Sequence, residues 1–196
     1  MRQLPDLSKY KYIITDVDGT LYSQMPLRIH MGLWMIFKAP GVVGELLSFR
    51  KQREKGELVE PSDSVREWMY VRPLSVIARY KYKELINLLN NARVSGKRLI
   101  AYSDYPAKDK LKALGVECDA IYDPTNENIK VLKPNPEGLE FILSELGVHT
   151  NEEDGMRTDG IRTDGIRKSD ILYIGDRAEK DGLCAQKVGV DFYLWK

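Results

Sequence analysis

The sequence has few cysteines, little net charge and no long apolar run. Its 196 residues include two cysteines, Cys118 and Cys184, which lie far apart and have no metal-ligand spacing around them. We therefore expect reduced core thiols and no disulfide framework. Thirty Lys and Arg residues against 29 Asp and Glu give a net charge of +1. This balance argues against a nucleic-acid partner, because such binding rests on an excess of cationic side chains.

Membrane-spanning and targeting segments are not indicated either. No stretch reaches the roughly 18 apolar residues that a spanning helix needs, and the N-terminal residues lack a signal-peptide core. The most apolar window, residues 31–37, is about two helical turns long and fits a buried helix better than membrane attachment. With 43% hydrophobic and 30% charged residues, the sequence predicts a folded protein with no membrane partner, located in the cytoplasm.

A pair of aspartates stands at the end of an apolar run near the N-terminus. Residues 12–14 read as a buried strand, and Asp16 and Asp18 follow it. Because alternate residues of a strand point to the same side, both carboxylates can reach one site, and Gly19 supplies a turn. A carboxylate can attack phosphorus when Mg²⁺ screens its repulsion from the phosphate. The alternative is an acidic loop, because Asp and Gly are common in turns.

Three later segments carry side chains that a phosphoryl-transfer site would also need. Ser103 directly follows the apolar residues 99–102, and its hydroxyl can bind a phosphate oxygen. Lys133 supplies a cation just before a predicted helix. Asp176 follows a third apolar run, and Asp181 lies five positions further on. These two acids can complete a Mg²⁺ site.

In this order the motifs resemble the haloacid dehalogenase superfamily, in its phosphatase branch. The resemblance spans most of the chain and rests on Asp16-Val17-Asp18-Gly19-Thr20, Ser103, Lys133, and Asp176 with Asp181. It implies that Asp16 is the nucleophile and Asp18 the general acid and base, and it implies the strand order 5-4-1-2-3, which periodicity alone does not give. The implied ligands are, for Mg²⁺, Asp16, the Val17 carbonyl, Asp176 and Asp181, and, for phosphate, Ser103, Lys133 and the backbone around Asp18 and Gly19.

The remaining pattern predicts an α/β fold. Strands alternate with helices, which is typical of a Rossmann-like parallel sheet, here of five strands with helices on both faces. Residues 23–79 show helical patterning without strand alternation, and the family that the chain resembles has a cap at this position. We therefore predict a core domain of residues 1–22 and 80–196 with an inserted helical cap domain of residues 23–79.

The predicted cap offers side chains for contacts with a substrate. Several arginines are candidates for binding an anion, although scattered arginines usually lie on solvated faces. Three aromatic residues are candidates for lining a pocket, although such residues more often pack in a core. These side chains are Arg28, Arg50, Arg53, Arg66 and Arg72, with Trp34, Phe37 and Trp68.

A tandem repeat of Arg-Thr-Asp-Gly-Ile occupies residues 157–166. Its Asp and Gly residues raise the hypothesis of calcium binding, but the ligand spacing of an EF-hand loop is absent. Five residues are also too few for the unit of a solenoid. We interpret the segment as a solvated loop extension.

The predicted function is a Mg²⁺-dependent phosphatase that hydrolyses a small phosphorylated metabolite through an aspartyl-phosphate intermediate. Two alternatives stay open, namely a phosphomutase of the same superfamily and a catalytically silent binding protein. Haloalkanoate dehalogenation is disfavoured, because that branch lacks the second aspartate, here Asp18. The sequence indicates neither the substrate nor the oligomeric state.

Overall fold

The computed structural model describes residues 3–56, 58–148 and 166–196. One sheet is formed by β1 (Tyr12–Thr15), β2 (Arg98–Tyr102), β3 (Ala120–Tyr122), β4 (Ile171–Gly175) and β5 (Asp191–Leu194). All neighbouring strands are parallel. Their order is β3-β2-β1-β4-β5, which is the predicted order 5-4-1-2-3 read from the other edge. β1 therefore lies in the middle of the sheet, between β2 and β4.

The two faces of the sheet carry separate hydrophobic clusters. Ile13 and Ile14 are both fully buried and point to opposite faces, as neighbours in a strand do. Ile13 packs in one cluster with Leu99, and Ile14 packs in the other with Ile100. Central strands of a parallel sheet are apolar on both sides because helices cover both faces.

Helices cover the sheet on both sides, which confirms the predicted α/β layers. Leu89 of one helix and Leu111 of the next lie in the cluster around Ile13, whereas Leu139 and Cys184 lie in the cluster around Ile14. The α-helices of the described residues are α1 (Gln24–Lys38), α2 (Val42–Glu54), α3 (Asp63–Arg66), α4 (Lys83–Val94), α5 (Lys108–Leu114), α6 (Glu137–Glu145) and α7 (Leu183–Val188).

Between β1 and α4 the described chain forms helices and turns without a sheet strand. The helices α1 to α3 are followed by a π-helical turn (Glu67–Val71) and two 3₁₀ turns (Arg72–Ser75 and Ile77–Tyr80). We call this segment, from α1 to Tyr80, the inserted helices. Its buried Met31, Phe49 and Trp68 belong to the same hydrophobic cluster as Ile13. The insertion therefore packs on the sheet side that carries Ile13, while the division into core and cap domains stays a prediction.

The apolar window at residues 31–37 lies in α1 and is buried on one side only. Met31 and Met35 are buried, whereas Leu33 and Phe37 are exposed, Phe37 to 82%. The expectation of a buried helix is therefore correct for one face of α1, and Phe37 does not pack in the core. Among the described helices, none combines the length and the apolarity needed to cross a bilayer.

Two further expectations concern the cysteines and the repeat. Cys118 and Cys184 are both free, and Cys184 is buried. Residues 157–165 of the Arg-Thr-Asp-Gly-Ile repeat, interpreted from the sequence as a solvated loop extension, lie outside the described residues.

Candidate active site

The side chains predicted to form a site meet at the carboxyl ends of three adjacent strands. Asp16 follows β1, Ser103 follows β2, and Asp176 follows β4. Because β1 lies between the other two strands, the three chain segments leave the sheet side by side. Open α/β sheets bind their ligands at this edge.

The loop after β1 is held by hydrogen bonds within its own motif. The Asp16 amide donates to the Ile174 carbonyl at 2.8 Å, which ties the loop to β4. The Thr20 hydroxyl donates to Asp16 Oδ2 at 3.0 Å. The Val17 carbonyl, a predicted metal ligand, accepts a hydrogen bond from the Leu21 amide at 3.0 Å. A carbonyl oxygen has a second lone pair, so the Val17 carbonyl can accept this hydrogen bond and still bind a metal ion.

Lys133 is the cation at the centre of the site, and only 1% of its surface is exposed. Its Nζ lies 2.6 Å from Asp16 Oδ1 and 2.7 Å from Asp181 Oδ1. It also donates to the Tyr173 hydroxyl oxygen at 3.0 Å. Although burial alone would lower the pKa of Lys133, the carboxylates of Asp16 and Asp181 raise it well above the ordinary value. Lys133 is therefore a permanent positive charge beside the predicted nucleophile.

Three carboxylates surround this lysine and face one another. Asp16, Asp176 and Asp181 each place an oxygen within 4.8 Å of the others. Burial raises the pKa of Asp16 to about 7, with Lys133 opposing the shift and the charges of Asp181 and Asp176 adding to it. Burial and the charge of Asp181 likewise raise the pKa of Asp176 to about 6. Negative charge is therefore in excess around Lys133.

The donor set fits a hard divalent cation. Asp176 Oδ1 is buried and has no hydrogen-bond partner among the described residues. Asp181 uses both oxygens, because Oδ1 accepts from Lys133 and Tyr173 while Oδ2 accepts from the Arg177 amide at 3.1 Å. Carboxylate oxygens with excess negative charge suit Mg²⁺. Asp176 offers a free ligand atom for such an ion, whereas Asp181 is better placed to support the cluster through its existing bonds.

A glycine allows the β1 loop and the β4 loop to approach each other closely. Gly19 has φ +103°, a left-handed conformation, and a Cβ atom there would lie 2.1 Å from Asp176 Oδ2. A side chain at position 19 would fit only if Asp176 moved. Gly19 was predicted from the sequence as a turn residue beside the phosphate site, and the structure adds its direct packing against a candidate metal ligand.

Asp18 lies in a second polar cluster, separate from Lys133. Lys110 Nζ lies 2.6 and 2.7 Å from the two Asp18 oxygens, and the Tyr22 hydroxyl donates to Oδ1. The Ser103 hydroxyl lies 3.4 Å from Oδ2. Although burial alone would raise the pKa of Asp18, Lys110 and Tyr22 hold it below the ordinary value. Asp18 is therefore a carboxylate in this structure, with a cation beside it.

Lys110 and Tyr22 are site residues that the sequence reasoning missed. Lys110 is one of three lysines in α5, together with Lys108 and Lys112, and no feature of the sequence separates the three. In the structure Lys110 is buried, whereas the other two are exposed. Tyr22 directly follows the recognised motif, so its position was the available signal, but tyrosine is also a common core residue.

A pocket of about 590 Å³ opens above Asp16 and Asp18. On the side of the sheet it is lined by Lys110, Arg177 and Lys180, and on the other side by the inserted helices. The inserted helices contribute charged residues, which are Arg28, Arg50, Lys51 and Glu54, and a set of mostly apolar side chains, which are Leu27, Met31, Leu47, Trp68, Met69, Tyr70, Pro73, Leu74 and Ile77. The two candidate catalytic aspartates thus line a partly open, half-apolar pocket.

The predicted cap arginines divide into different environments. Arg28 and Arg50 line the pocket. Arg53 is only 4% exposed and donates to the carbonyl of Asp104, so the expectation of a solvated face is wrong for this residue. Arg72 lies 4.5 Å from the centroid of the Trp68 ring. Arg66 is exposed and pairs with Glu60 at 3.7 Å.

Comparisons with known proteins identify the fold. No protein-family model matches the chain, and no curated protein does. Solved structures match with high probability. A HAD phosphatase from Thermococcus onnurineus is 19% identical with a TM-score of 0.62, and the match covers 94% of this chain and 85% of that one. The chain has the haloacid dehalogenase fold.

Other structures with the haloacid dehalogenase fold differ in their described chemistry. A protein from Bacillus subtilis assigned as a HAD hydrolase, solved with bound magnesium, is 12% identical with a TM-score of 0.61 and coverages of 93% and 87%. An L-2-haloacid dehalogenase from Xanthobacter autotrophicus is 13% identical with a TM-score of 0.57 and coverages of 93% and 76%. Because phosphatases and dehalogenases share the haloacid dehalogenase fold, the activity of this chain has to be argued from its own site.

Proposed function

We propose that the protein is a divalent-metal-dependent phosphatase that hydrolyses a phosphate monoester through an aspartyl-phosphate on Asp16. The observation that carries this proposal is the pairing of two carboxylates with separate cations. Asp16 contacts Lys133, and Asp18 contacts Lys110, both at 2.6 Å. Both aspartates line the same pocket. A nucleophile and a proton-transfer group are thus available to one bound phosphate.

In the first step a carboxylate oxygen of Asp16 attacks phosphorus, and the bond from phosphorus to the leaving oxygen breaks. Asp18 donates a proton to that oxygen, which leaves as an alcohol. In the second step water attacks phosphorus, Asp18 accepts a proton from the water, and the bond to Asp16 breaks to release inorganic phosphate. Each displacement is easier than direct attack by water on the ester.

The cations of the site have distinct tasks in this scheme. Lys133 is fixed to Asp16 and balances its charge, while Lys110 is available to the phosphate oxygens, where stabilising charge matters most. Asp18 needs a proton for the first step. A phosphate that draws Lys110 away from Asp18 removes the cation that holds the Asp18 pKa low, so binding of the substrate favours the protonated form.

Asp16 and Asp176 would hold the divalent cation, with Asp181 in support and the Val17 carbonyl as the further predicted ligand. When bound, an ion such as Mg²⁺ screens the repulsion between the Asp16 carboxylate and the phosphate. The free buried oxygen of Asp176 and the close approach of Asp16, Asp176 and Asp181 support this part of the proposal.

The presence of Asp18 favours a phosphatase over a dehalogenase and over a silent binding protein. Asp18 is present and lines the pocket with Asp16, which distinguishes this chain from the dehalogenase pattern. Because Asp16 and Asp18 are both present in the pocket, a catalytically silent binding protein is disfavoured as well. A phosphomutase would use the same residues but would return the phosphate to a second hydroxyl of the substrate, so formation of an isomeric sugar phosphate in place of inorganic phosphate would identify that activity.

The direct test compares Asp16→Asn with the wild-type protein, using an aryl phosphate with Mg²⁺. We expect loss of turnover by roughly a thousandfold or more, because the amide is not a nucleophile. Asp109→Asn is the matched control, because Asp109 is an exposed residue of α5 and the same change of charge there should leave the rate unaltered. Retention of wild-type turnover by Asp16→Asn would refute the proposal.

A further inference from the structure

The pocket wall formed by α1 and α2 carries an excess of positive charge. Arg28 of α1 and Arg50 and Lys51 of α2 line it, and we call these three residues the cationic wall. Glu54 is the one acidic residue among the described pocket-lining residues of the inserted helices. None of the salt bridges of the described residues involves the cationic wall. Arg28 and Lys51 are exposed and Arg50 is half-buried, and no ion pair within the described part of the chain neutralises their charges.

The two guanidinium groups of this wall repel each other. Arg50 is half-buried, and burial together with the neighbouring charge of Arg28 lowers its pKa. Like charges brought together in a partly desolvated place are unfavourable unless an anion binds between them. Guanidinium groups also match the geometry of carboxylate and phosphate, to which they donate paired hydrogen bonds.

The catalytic end of the pocket does not need these charges. Lys110 and Lys133 already accompany Asp18 and Asp16 at the sheet edge, and Arg177 and Lys180 line the pocket from the same side. The scissile phosphate therefore has cations of its own. The positive charges of the cationic wall are therefore available to bind another group of the substrate.

The shape of the pocket indicates a leaving group of some size. Its volume of about 590 Å³ falls within the range of about 300–1,000 Å³ that is typical of pockets for drug-sized ligands, and a phosphate group alone would leave most of it empty. Apolar side chains such as Met31, Leu47 and Leu74 form much of the remaining wall. The body of the leaving group should therefore be largely apolar.

We propose that the cationic wall binds a second anionic group, a carboxylate or a phosphate, carried by the leaving group of the substrate. The substrate class is then a phosphate monoester with an apolar body and a further anion at a distance from the scissile phosphate. This inference rests on the proposed phosphatase activity for its catalytic readout, but the binding site itself can be measured without turnover.

The catalytic test uses matched substrates that differ only in the distal group. Alkyl phosphates of increasing chain length are compared with the corresponding ω-carboxylate and ω-phosphate compounds, and kcat/KM is obtained from the release of inorganic phosphate. We expect the wild-type protein to prefer the anionic member by tenfold or more at one favoured chain length. Comparing kcat/KM for the ω-carboxylate and the ω-phosphate compounds shows which of the two distal anions the protein prefers.

The variant for this test is Arg28→Gln combined with Arg50→Gln, with each single variant alongside. The ratio of kcat/KM for the anionic and the neutral substrate should fall at least tenfold in the double variant. Arg79→Gln is the matched control, because Arg79 is exposed and lies outside this pocket, and it should keep the wild-type ratio. An equal fall in the control would show that only the general charge of the protein matters and would overturn the proposal.

A second measurement separates the anion site from catalysis. Alkylphosphonates and ω-carboxyalkylphosphonates are not hydrolysed, and calorimetry gives their affinity for the wild-type protein with Mg²⁺. Tighter binding of the carboxylated compound, lost in the double variant, supports the site even if no substrate is turned over. Equal affinity for the two compounds would overturn it even if the protein proves to be a phosphatase. Circular dichroism of the variants shows whether they fold.

Discussion

Lys110 Nζ lies 2.6 and 2.7 Å from the two carboxylate oxygens of Asp18. This ion pair joins helix α5 to the loop after the central strand, and the side chains are only 8% and 12% exposed. Together with Tyr22, it holds the pKa of Asp18 below the ordinary value against the opposing effect of burial. In the mechanism proposed above, a phosphate that competes for Lys110 would favour protonation of Asp18.

A double-mutant cycle measures this pair. Lys110→Met leaves the buried Asp18 carboxylate without its cation, and we expect a loss of about 3–5 kcal/mol in the free energy of unfolding, the usual result of breaking a buried pair. Adding Asp18→Asn removes the unpaired charge and should restore part of the loss. Urea unfolding of the single variants and of the double variant gives the coupling energy. Lys112→Met, an exposed lysine of the same helix, is the control, and additive effects of the two changes would contradict the coupling.

The stability of the metal-free protein should fall as the pH rises from about 5 to 7. Asp16 and Asp176 have pKa values raised to about 7 and about 6, so the folded protein keeps protons that the unfolded chain has already lost. The state that binds more protons is weakened as the pH increases, and here that is the folded state. Unfolding by urea in the presence of a chelator, at several pH values, measures the slope.

Added Mg²⁺ should remove most of this pH dependence. The bound ion would neutralise the negative charge of the carboxylates, as the protons do in the metal-free protein. The stabilisation by Mg²⁺ should therefore grow with pH. In Asp176→Asn the metal-free slope should become smaller, because one of the two raised groups is gone. A metal-free stability that does not change between these pH values would contradict the shifts and the charge excess from which we infer the metal.

Substitution of Gly19 tests the close approach of the two loops. In Gly19→Ala the new Cβ would lie 2.1 Å from Asp176 Oδ2 at a φ of +103°, so Asp176 has to move. We expect the Mg²⁺ concentration for half-maximal stabilisation to rise tenfold or more, together with a loss of turnover. Gly96→Ala is the control, because Gly96 has a similar φ of +90° with nothing within 4 Å of the added atom. If Gly19→Ala and Gly96→Ala weakened Mg²⁺ binding equally, backbone strain alone would explain the loss, and the contact with Asp176 would not be needed.

Much of the scaffold could be predicted from local patterns. The apolar runs at residues 12–14, 99–102 and 171–174 became β1, β2 and β4 with shifts of at most one residue at either end. The order of the strands came from the resemblance to a known family, because periodicity carries no information on which strands are neighbours. The helical segment after β4 is less regular, because it consists of a π-helical turn (Ala178–Gly182) followed by α7.

That π-helical turn explains why the direction of the Asp181 side chain could not be predicted from the sequence. Residues of a regular α-helix have a fixed angular spacing, and the wider turn changes the direction in which Asp181 points. In the structure Asp181 is 1% exposed and contacts Lys133 and Tyr173. The orientation of Asp181 toward Lys133 therefore depends on a local deviation in the backbone.

The sequence by itself determined the strands, the helices on both sheet faces, the aspartates and serine that follow strand ends, and the lysine that precedes α6. These features depend on hydrophobic periodicity and on the residues next to them in the chain. The tertiary structure alone decided that Lys110 contacts Asp18, that Gly19 packs against Asp176, and that Arg28 and Arg50 share one pocket wall. Such contacts depend on how helices are rotated and placed relative to the sheet, and that placement is set by the packing of the whole hydrophobic core rather than by any local pattern.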